Sequence, residues 1–414
     1  MKPFLHAHAT HPDASMALAL AAAQIEAQRS RPGAAAAPTL GWLYLTDHFT
    51  ADADRLLDEA RQRWPGVSWV GAVGIGIAAS GVEYIDEPAV SLMLAELPRE
   101  RFRVFSGTRP LPAAPGGFHA ATAQVHADPA TADLGELVGE LSARIGTGYL
   151  FGGLASARPD AGGDGAGRCL HIADAVLEGG LSGVAFDAGV ALVSRVTQGC
   201  QPVGPVRRVT EADRNVVVAL DGRPALDCLL GDLGIDEASP RQAVARLRQT
   251  LVGLSDPQDD ALARPGQFGT DTRVRHLMGI DPGRRALAIG DVASPGDQLA
   301  FCTRHVEAAR RDLVRICTEI REELESQALA REAAVAAAGG AATDAQPGAA
   351  IAGAVYVSCA GRGGPHFGGP SAELAIVKHA LGDVPLVGFF ANGEIARRHL
   401  YGYTGVLTVF PAVP

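Results

Sequence analysis

Three things are missing from this sequence, and each absence removes a class of function. There is no membrane segment: the hydrophobic N-terminal run MALALAAA at 16–23 has no basic flank and leads into the amphipathic QIEAQ, far short of the roughly 20 apolar residues a spanning helix needs. There is no basic surplus. The 36 Lys and Arg against 46 Asp and Glu give a net charge of −10, with the cations scattered, so no stripe exists to release counterions from nucleic acid or to hold an anionic membrane. There is no cysteine framework either: the six cysteines, at 169, 200, 228, 302, 317 and 359, never occur as CxxC, too few for a disulfide scaffold in a chain this long. Reduced thiols and a cytoplasmic location are expected, with neither nucleic acid nor membrane as partner.

Aromatic residues are also few, 5% of the chain against 47% apolar residues overall, and Ala and 50 Gly are abundant in their place. Such a composition favours closely spaced helices and sheets in which backbone approaches backbone. At 414 residues the chain exceeds the roughly 250–300 at which one core stops growing, so two domains are expected.

GWLYLTD (41–47) reads as a buried strand, ADADRLLDEARQRW (51–64) as an amphipathic helix, and VSWVGAVGI (67–75) and AVSLMLAEL (89–97) as further strands. The C-terminal end repeats this order with strand AGAVYVSCA (352–360), helix SAELAIVKHAL (371–381) and strands VPLVGFFA (384–391) and GYTGVLTVF (402–410). A weaker version lies between them, where GTGYLFGGLAS (146–156) passes through the loop PDAGGDGAGR (159–168) to CLHIADAVL (169–177) and LSGVAFDAGVALVSRV (181–196). Strand, helix, strand, glycine-rich turn, strand is thus a repeated plan. The expected fold is α/β: two related domains, 1–226 and 227–414, each a mixed β-sheet flanked by helices. A long charged helix is expected near 305–332, because Val306, Leu313, Ile316 and Ile320 recur at helical spacing. The stretch AAVAAAGGAATDAQPGAA (333–350) has the small-residue composition of a flexible connection.

GVEYIDEPAVSLMLAELP (81–98) and GCQPVGPVRRVTEADRNVVVALDGRPAL (199–226), together with SCAGRG, FG, LVGFFANGEI and GYTGVLTVF in the C-terminal half, resemble the FIST proteins. These are bacterial and eukaryotic sensory modules made of paired FIST N and FIST C domains. The resemblance covers nearly the whole chain and implies a FIST N-like domain over 1–226 and a FIST C-like domain over 227–414. It also implies small-ligand binding, with amino acids proposed as ligands, and some members bind haem and report nitric oxide. The N-terminal half departs from members that carry a plain Gly-Glu-Ile where this chain has Gly81 and Glu83.

The residues themselves place the chemistry at the C-terminal end. After the strand ending at Cys359, the loop GRGGPHFGG leads into a helix that Ser371 can cap, with Glu373 close behind. Glycine exposes consecutive N–H groups beside a helix N-terminus, and such an arrangement attracts anions. Arg362 adds a planar five-donor fork suited to carboxylate or phosphate; alternatively it pairs with Glu373 or Glu394. NGEI (392–395) turns out of the neighbouring strand, so Glu394 can reach the same crevice and receive a ligand ammonium, or pair with Arg397 or Arg398. The candidate ligand-binding set is Cys359, Gly361, Arg362, Gly363, His366, Phe367, Glu373, Asn392, Gly393 and Glu394, and Arg362 with Glu394 would match a zwitterion.

Cys359 is the thiol best placed for reactivity, with His366 as its base, which makes a cysteine-dependent enzyme the alternative to a buried inert thiol. HAHATHP (6–12) puts His6 and His8 on one face of a strand and CTRH (302–305) supplies a Cys-x-x-His pair, but Asp13 or Thr10 can cap the helix after the first and His305 can begin the long helix. No metal is expected, and no cofactor unless haem. No Gly-Lys-Ser/Thr follows the glycine loop, and GIGIAASG (74–81) misses the dinucleotide spacing. The expected function is therefore a non-enzymatic, ligand-binding sensory protein. No kinase, cyclase or DNA-binding segment follows Phe410, so the signal is expected to pass to a partner such as a separate kinase or cyclase.

Overall fold

The computed structural model describes residues 1–111, 117–159, 167–235, 240–255, 272–337 and 351–412; most of the loop read at 159–168 and of the connection read at 333–350 lies outside the described residues. The chain forms two compact units. Met1–Thr197, Leu313–Leu400 and Thr404–Pro414 make the first, and Gln198–Asp312 with Tyr401–Tyr403 the second.

The first unit contains the repeated plan three times. In the first copy β1 (Leu5–Thr10) leads through α1 (Ala14–Arg29) to β2 (Leu40–Thr46), α2 (Ala53–Arg63) and β3 (Ser68–Gly74), then to a hairpin of β4 (Gly76–Ala79) and β5 (Val82–Ile85), and ends with β6 (Ala89–Ala95). The second copy runs β7 (Phe102–Ser106), β8 (Thr122–Ala127), α3 (Leu134–Ala143), β9 (Tyr149–Leu154), the hairpin β10 (Leu170–Ala173) and β11 (Val176–Glu178), and β12 (Leu181–Phe186). The third opens with β13 (Val193–Gln198) and is then interrupted by the second unit.

That inserted unit carries β14 (Cys200–Pro202), β15 (Arg207–Asp213), β16 (Val216–Leu220), β17 (Arg223–Pro224), α4 (Ala225–Leu233), α5 (Pro240–Gln249), β18 (Thr250–Ser255), β19 (Arg273–Asp281), β20 (Ala286–Ile289) and β21 (Gln298–Arg304). Its pairings run β21-β15-β16-β20-β19-β18 and close again on β21, so the sheet curls into a barrel and leaves few open edges. Val217, Leu229, Val252 and Phe301 fill its core.

The long helix α6 (Val306–Ala337) then carries the chain back, and the third copy resumes with β22 (Ile351–Cys359), α7 (Ala372–Leu381), β23 (Leu386–Ala391), the hairpin β24 (Glu394–Arg397) and β25 (His399–Tyr401), and β26 (Thr404–Pro411). Among the described residues no helix is long and apolar enough to cross a membrane.

The three copies build three six-stranded sheets of one design: β1-β6-β2-β3-β10-β11, β7-β12-β8-β9-β24-β25 and β13-β26-β22-β23-β4-β5. Each has a parallel central pair joined by a helix, β2 with β3, β8 with β9 and β22 with β23, flanked by an antiparallel return strand. The last two strands of every sheet belong to another copy. The first copy gives its hairpin to the third, the third to the second, and the second to the first, a closed exchange of edges. β2 (LGWLYLT) is buried at all seven positions, as a parallel strand covered on both faces must be. α2 buries Ala53, Leu56, Leu57 and Ala60, the spacing of one helix face.

One glycine recurs at the same place in each parallel pair. Gly71 lies opposite Leu43, Gly152 opposite Val125 and Gly388 opposite Tyr356, and a Cβ there would stand 1.8, 1.9 and 1.7 Å from the facing carbonyl oxygen. The neighbouring positions meet at the centre of the unit, where Tyr44 stacks on Phe389 at 5.4 Å and hydrogen-bonds His126 at 3.0 Å, while Gln124 bridges Trp42 and Tyr44. Burial pushes the His126 pKa down to about 3, so this network is uncharged.

Replacing Gly388 by alanine should therefore force the central strands apart, with a loss of roughly 3 kcal/mol or more in denaturant unfolding. Gly139→Ala in α3, where the added Cβ meets nothing within 4 Å, should instead leave stability unchanged or raise it by up to about 1 kcal/mol. Equal responses would rule out the strand contact as the cause.

Candidate functional site

The loop after β22 does not open toward solvent at Arg362. It folds the guanidinium inward, to 0% exposure, and most of the site residues read from the sequence gather around it. Arg362 N–H bonds back to the Cys359 carbonyl at 2.7 Å, which turns the side chain under the loop. Its Nε donates to Glu373 Oε1 at 3.2 Å, Nη2 lies 3.1 Å from the same oxygen, and Nη1 reaches the Thr197 carbonyl at 3.3 Å. The Phe367 ring covers the guanidinium with its centroid 5.3 Å from Cζ. The internal pairing with Glu373 is thus the one the structure contains.

Glu373 has no need of a ligand. Besides Arg362 it accepts from the Tyr356 hydroxyl at 2.6 Å and from Ser358 Oγ at 3.1 Å to each carboxylate oxygen. Burial alone would lower the Arg362 pKa, but Glu373, then Tyr356 and Glu394, hold it above its ordinary value. Burial and Glu373 raise the Tyr356 hydroxyl far above its usual range.

The helix N-terminus behind the loop is occupied by a residue from the other half of the chain. Glu83, on β5, accepts from Gly364 N–H at 2.9 Å through Oε2, and from Glu373 N–H at 2.9 Å and Leu374 N–H at 3.1 Å through Oε1. Ser371 stands at the N-cap position of α7 but makes no cap bond with its side chain. Its hydroxyl accepts from Glu83 N–H at 3.0 Å instead. The expectation that Ser371 caps α7 is corrected: an incoming carboxylate satisfies two amides where a serine hydroxyl satisfies one. Burial pushes the Glu83 pKa up, the bond from Gly364 pulls it down, and nearby Glu373 pushes it up again.

Glu394, the third carboxyl, is 0% exposed. Its Oε2 accepts from Thr404 N–H at 3.0 Å and Thr404 Oγ1 at 2.6 Å, while Oε1 receives no nitrogen or oxygen donor. Burial dominates and pushes its pKa up to about 8, against the lowering effects of Thr404, Arg362 and the Cys359 thiol. The carboxyl is therefore mostly protonated at neutral pH.

The remaining candidates differ in exposure. Cys359 and Gly361 are half-buried. Gly363 is held against Phe390, whose ring a Cβ would meet at 2.4 Å. His366 sits half-buried beside Phe367. Asn392 is exposed, and its N–H and the Gly393 carbonyl pair with Leu154, which holds the turn that delivers Glu394. Sequence reasoning met Glu83 only as a departure from the plain Gly-Glu-Ile of other members and did not single out Tyr356, Ser358, Thr404 or Thr197. The period-two spacing of Tyr356 and Ser358 on one face of β22 was the available signal.

Outside this cluster, Asp13 caps α1 by accepting from Met16 N–H, His8 bonds Tyr84 and His305 Nδ1 accepts from Ala308 N–H at the start of α6. Among the described residues no three His, Cys, Asp or Glu side chains are grouped to hold a metal ion.

Residues 39–223 match the FIST N domain model and 225–397 the FIST C domain model. An uncharacterized protein of Mycobacterium tuberculosis H37Rv is 31% identical over 412 residues, covering 97% of this chain and 97% of its own length. An uncharacterized protein of Mycobacterium bovis gives the same identity and coverage.

The Glu394 carboxyl sets a pH signature. The folded chain keeps this proton up to about pH 8, whereas the unfolded carboxyl loses it near 4.5, so its contribution is full below that lower value and is lost as pH rises through the upper one. In urea titrations from about pH 5 to about pH 9, Glu394→Gln should gain on the wild type steadily with pH. A constant difference would mean that the carboxyl is ionised throughout.

Proposed function

The chain belongs to the FIST family of paired sensory domains, and from that premise we propose that it is a small-ligand sensor whose binding site is the buried cluster around Arg362 and Glu394. The observation that carries this reading is Glu394, fully buried and within the field of the Arg362 guanidinium that pairs with Glu373, whose Oε1 lacks a nitrogen or oxygen donor inside the protein. A buried acceptor without a donor costs about 1–3 kcal/mol, and a ligand ammonium would remove that cost. The ligand favoured is accordingly amino-acid-like, its ammonium on Glu394 and its carboxylate held on the side of Arg362 and the glycine loop. The signal then passes to a separate protein, such as a kinase or cyclase.

A catalytic role for Cys359 has less support. Its thiol lies against a carboxyl that is itself protonated near neutral pH, so Glu394 has no charge with which to draw the thiol proton. We therefore assign the pair to binding.

An ammonium on Glu394 requires that carboxyl to ionise, so binding between about pH 6 and 7.5 should release a proton. Calorimetry in two buffers of different ionisation enthalpy measures the release. Glu394→Gln should abolish it and weaken an amino acid by roughly ten- to a hundredfold, the loss of one charge-assisted bond, while leaving its deaminated analogue unaffected. A thermal-shift screen of amino acids that moves the wild type with none of them would overturn the reading.

A further inference from the structure

The carboxyl end of β22 is closed, with Arg362 folded inward to 0% exposure. The corresponding end of β2, which opens the parallel pair of the first copy, is not. The residue after β2 is Asp47, its side chain 6% exposed, and the second copy sends Arg158 to it from the segment between β9 and β10. Asp47 Oδ2 accepts from Arg158 N–H at 2.8 Å and from Nε at 2.9 Å, and Oδ1 accepts from Nη2. Beside this pair lies a cavity of about 330 Å³ lined by Asp47, His48, Thr50, Arg158, Gly167 and Arg168 among others, all of them in the first unit. Its volume falls within the ~300–1,000 Å³ of small-molecule sites, and the crevice beyond the carboxyl ends of parallel strands is where open α/β sheets take ligands.

The donors that line the cavity are partly committed, and in a telling way. Asp47 takes the Nε and Nη2 edge of Arg158, so Nη1 is what that guanidinium offers a ligand; its bond to Asp86 Oδ1, at 2.7 Å, is to a side chain 78% exposed. Arg168 gives Nε and Nη2 to Glu178, itself 51% exposed, and keeps Nη1. Exposed pairs of this kind contribute little to stability, so both acids can give way. His48 adds a third donor. Its Nδ1 lies 3.2 Å from Arg158 Nη2, and because a guanidinium only donates, Nδ1 accepts and the ring proton sits on Nε2. Two guanidiniums against the Asp47 carboxylate leave the lining one positive charge in surplus.

We propose that this cavity is a phosphate-binding site, separate from the buried cluster at Arg362, which takes a small phosphate ester with its oxygens on Arg158 Nη1, Arg168 Nη1 and His48 Nε2. The assignment goes beyond the function proposed above and does not depend on it. Single donors brought by separate segments suit a tetrahedral group, whereas a planar carboxylate is best met by the guanidinium fork that Asp47 already occupies. The cavity holds more than the bare ion, which leaves room for the organic part of the ester.

The test uses the full chain with inorganic phosphate, glycerol 3-phosphate and acetate as probes, read by calorimetry. The wild type should bind glycerol 3-phosphate more tightly than phosphate, and acetate about tenfold or more weakly than either. Arg168→Ala and His48→Gln should each weaken glycerol 3-phosphate by about tenfold or more, the loss of one charge-assisted or strong bond, with thermal stability unchanged because both side chains are partly exposed. Arg158→Lys should do the same by removing Nη1 while keeping a cation on Asp47; if it does not fold, the other two variants decide. Glu394→Gln should bind the phosphates as the wild type does. A wild type that binds no phosphate, affinity unaltered in both Arg168→Ala and His48→Gln, or acetate as tight as phosphate would overturn the site. Glycerol 3-phosphate no tighter than phosphate would overturn the ester, and phosphate binding lost in Glu394→Gln would move the anion to the buried cluster. Ester binding that depends on Arg168 in a protein that binds no amino acid would support the site and sink the amino-acid reading alone.

Discussion

The exchange of hairpins among the three sheets is the constraint from which the rest follows. Backbone amides and carbonyls buried at a sheet edge must be paired, and in this unit each copy pairs its outermost strands with a neighbour rather than with itself. No single copy is a complete sheet. Because β4 and β5 finish the sheet of β22 and β23, Glu83 arrives at the N-terminus of α7 although roughly 290 residues separate them in the chain. The polar cluster is in this sense a product of topology: a hairpin kept at home would leave α7 without its carboxylate.

Within the cluster the carboxyls have separate fates, decided by donors rather than by charge. Glu373 collects Arg362, Tyr356 and Ser358 and is satisfied; Glu394 collects Thr404 and the Cys359 thiol, has Arg362 only as a nearby charge, and holds its proton. Buried ion pairs of this kind rarely improve on a well-packed apolar core, since desolvation consumes most of the Coulomb gain. A fold that keeps four ionisable groups in one solvent-excluded place, one of them short of a nitrogen or oxygen donor, departs from the internal consistency seen elsewhere in it, and such departures concentrate where proteins work.

Much of the fold was legible because it rests on local signals. The alternation of apolar runs with glycine and the spacing of Leu56, Leu57 and Ala60 named strands and helix in the first copy, and the same signals worked for β22, α7 and β23. The second copy was harder: β8 and α3 lie before the segment that the pattern picked out, and the run from Leu181 to Val196 is divided between β12 and β13. The glycine opposite a carbonyl, in WVGAVG, LFGGLA and LVGFFA, is the signature that ties the three copies together, but its meaning depends on a facing strand that no local window contains. At the site, the composition of GRGGPHFGG drew attention to the loop that carries Arg362, and Glu373 and Glu394 were named from the segments that follow it. The direction of the guanidinium and the arrival of Glu83 depend on strand order, which residue spacing does not carry.

The same exchange bears on how the protein is made. Ser80 in the first copy and Leu386 in the third, hydrogen-bonded in the finished molecule, are 306 residues apart, about 15–60 s of translation at 5–20 residues per second. Throughout that interval the β4–β5 ribbon has left the ribosome with no strand to accept it, and an unpaired apolar edge is a template for any passing chain. The barrel inserted between β13 and β22 lengthens the wait by its own synthesis. A nascent chain of this design therefore depends on whatever shields open edges in the cell, and its yield should be governed less by final stability than by the crowding of half-made copies on a polysome.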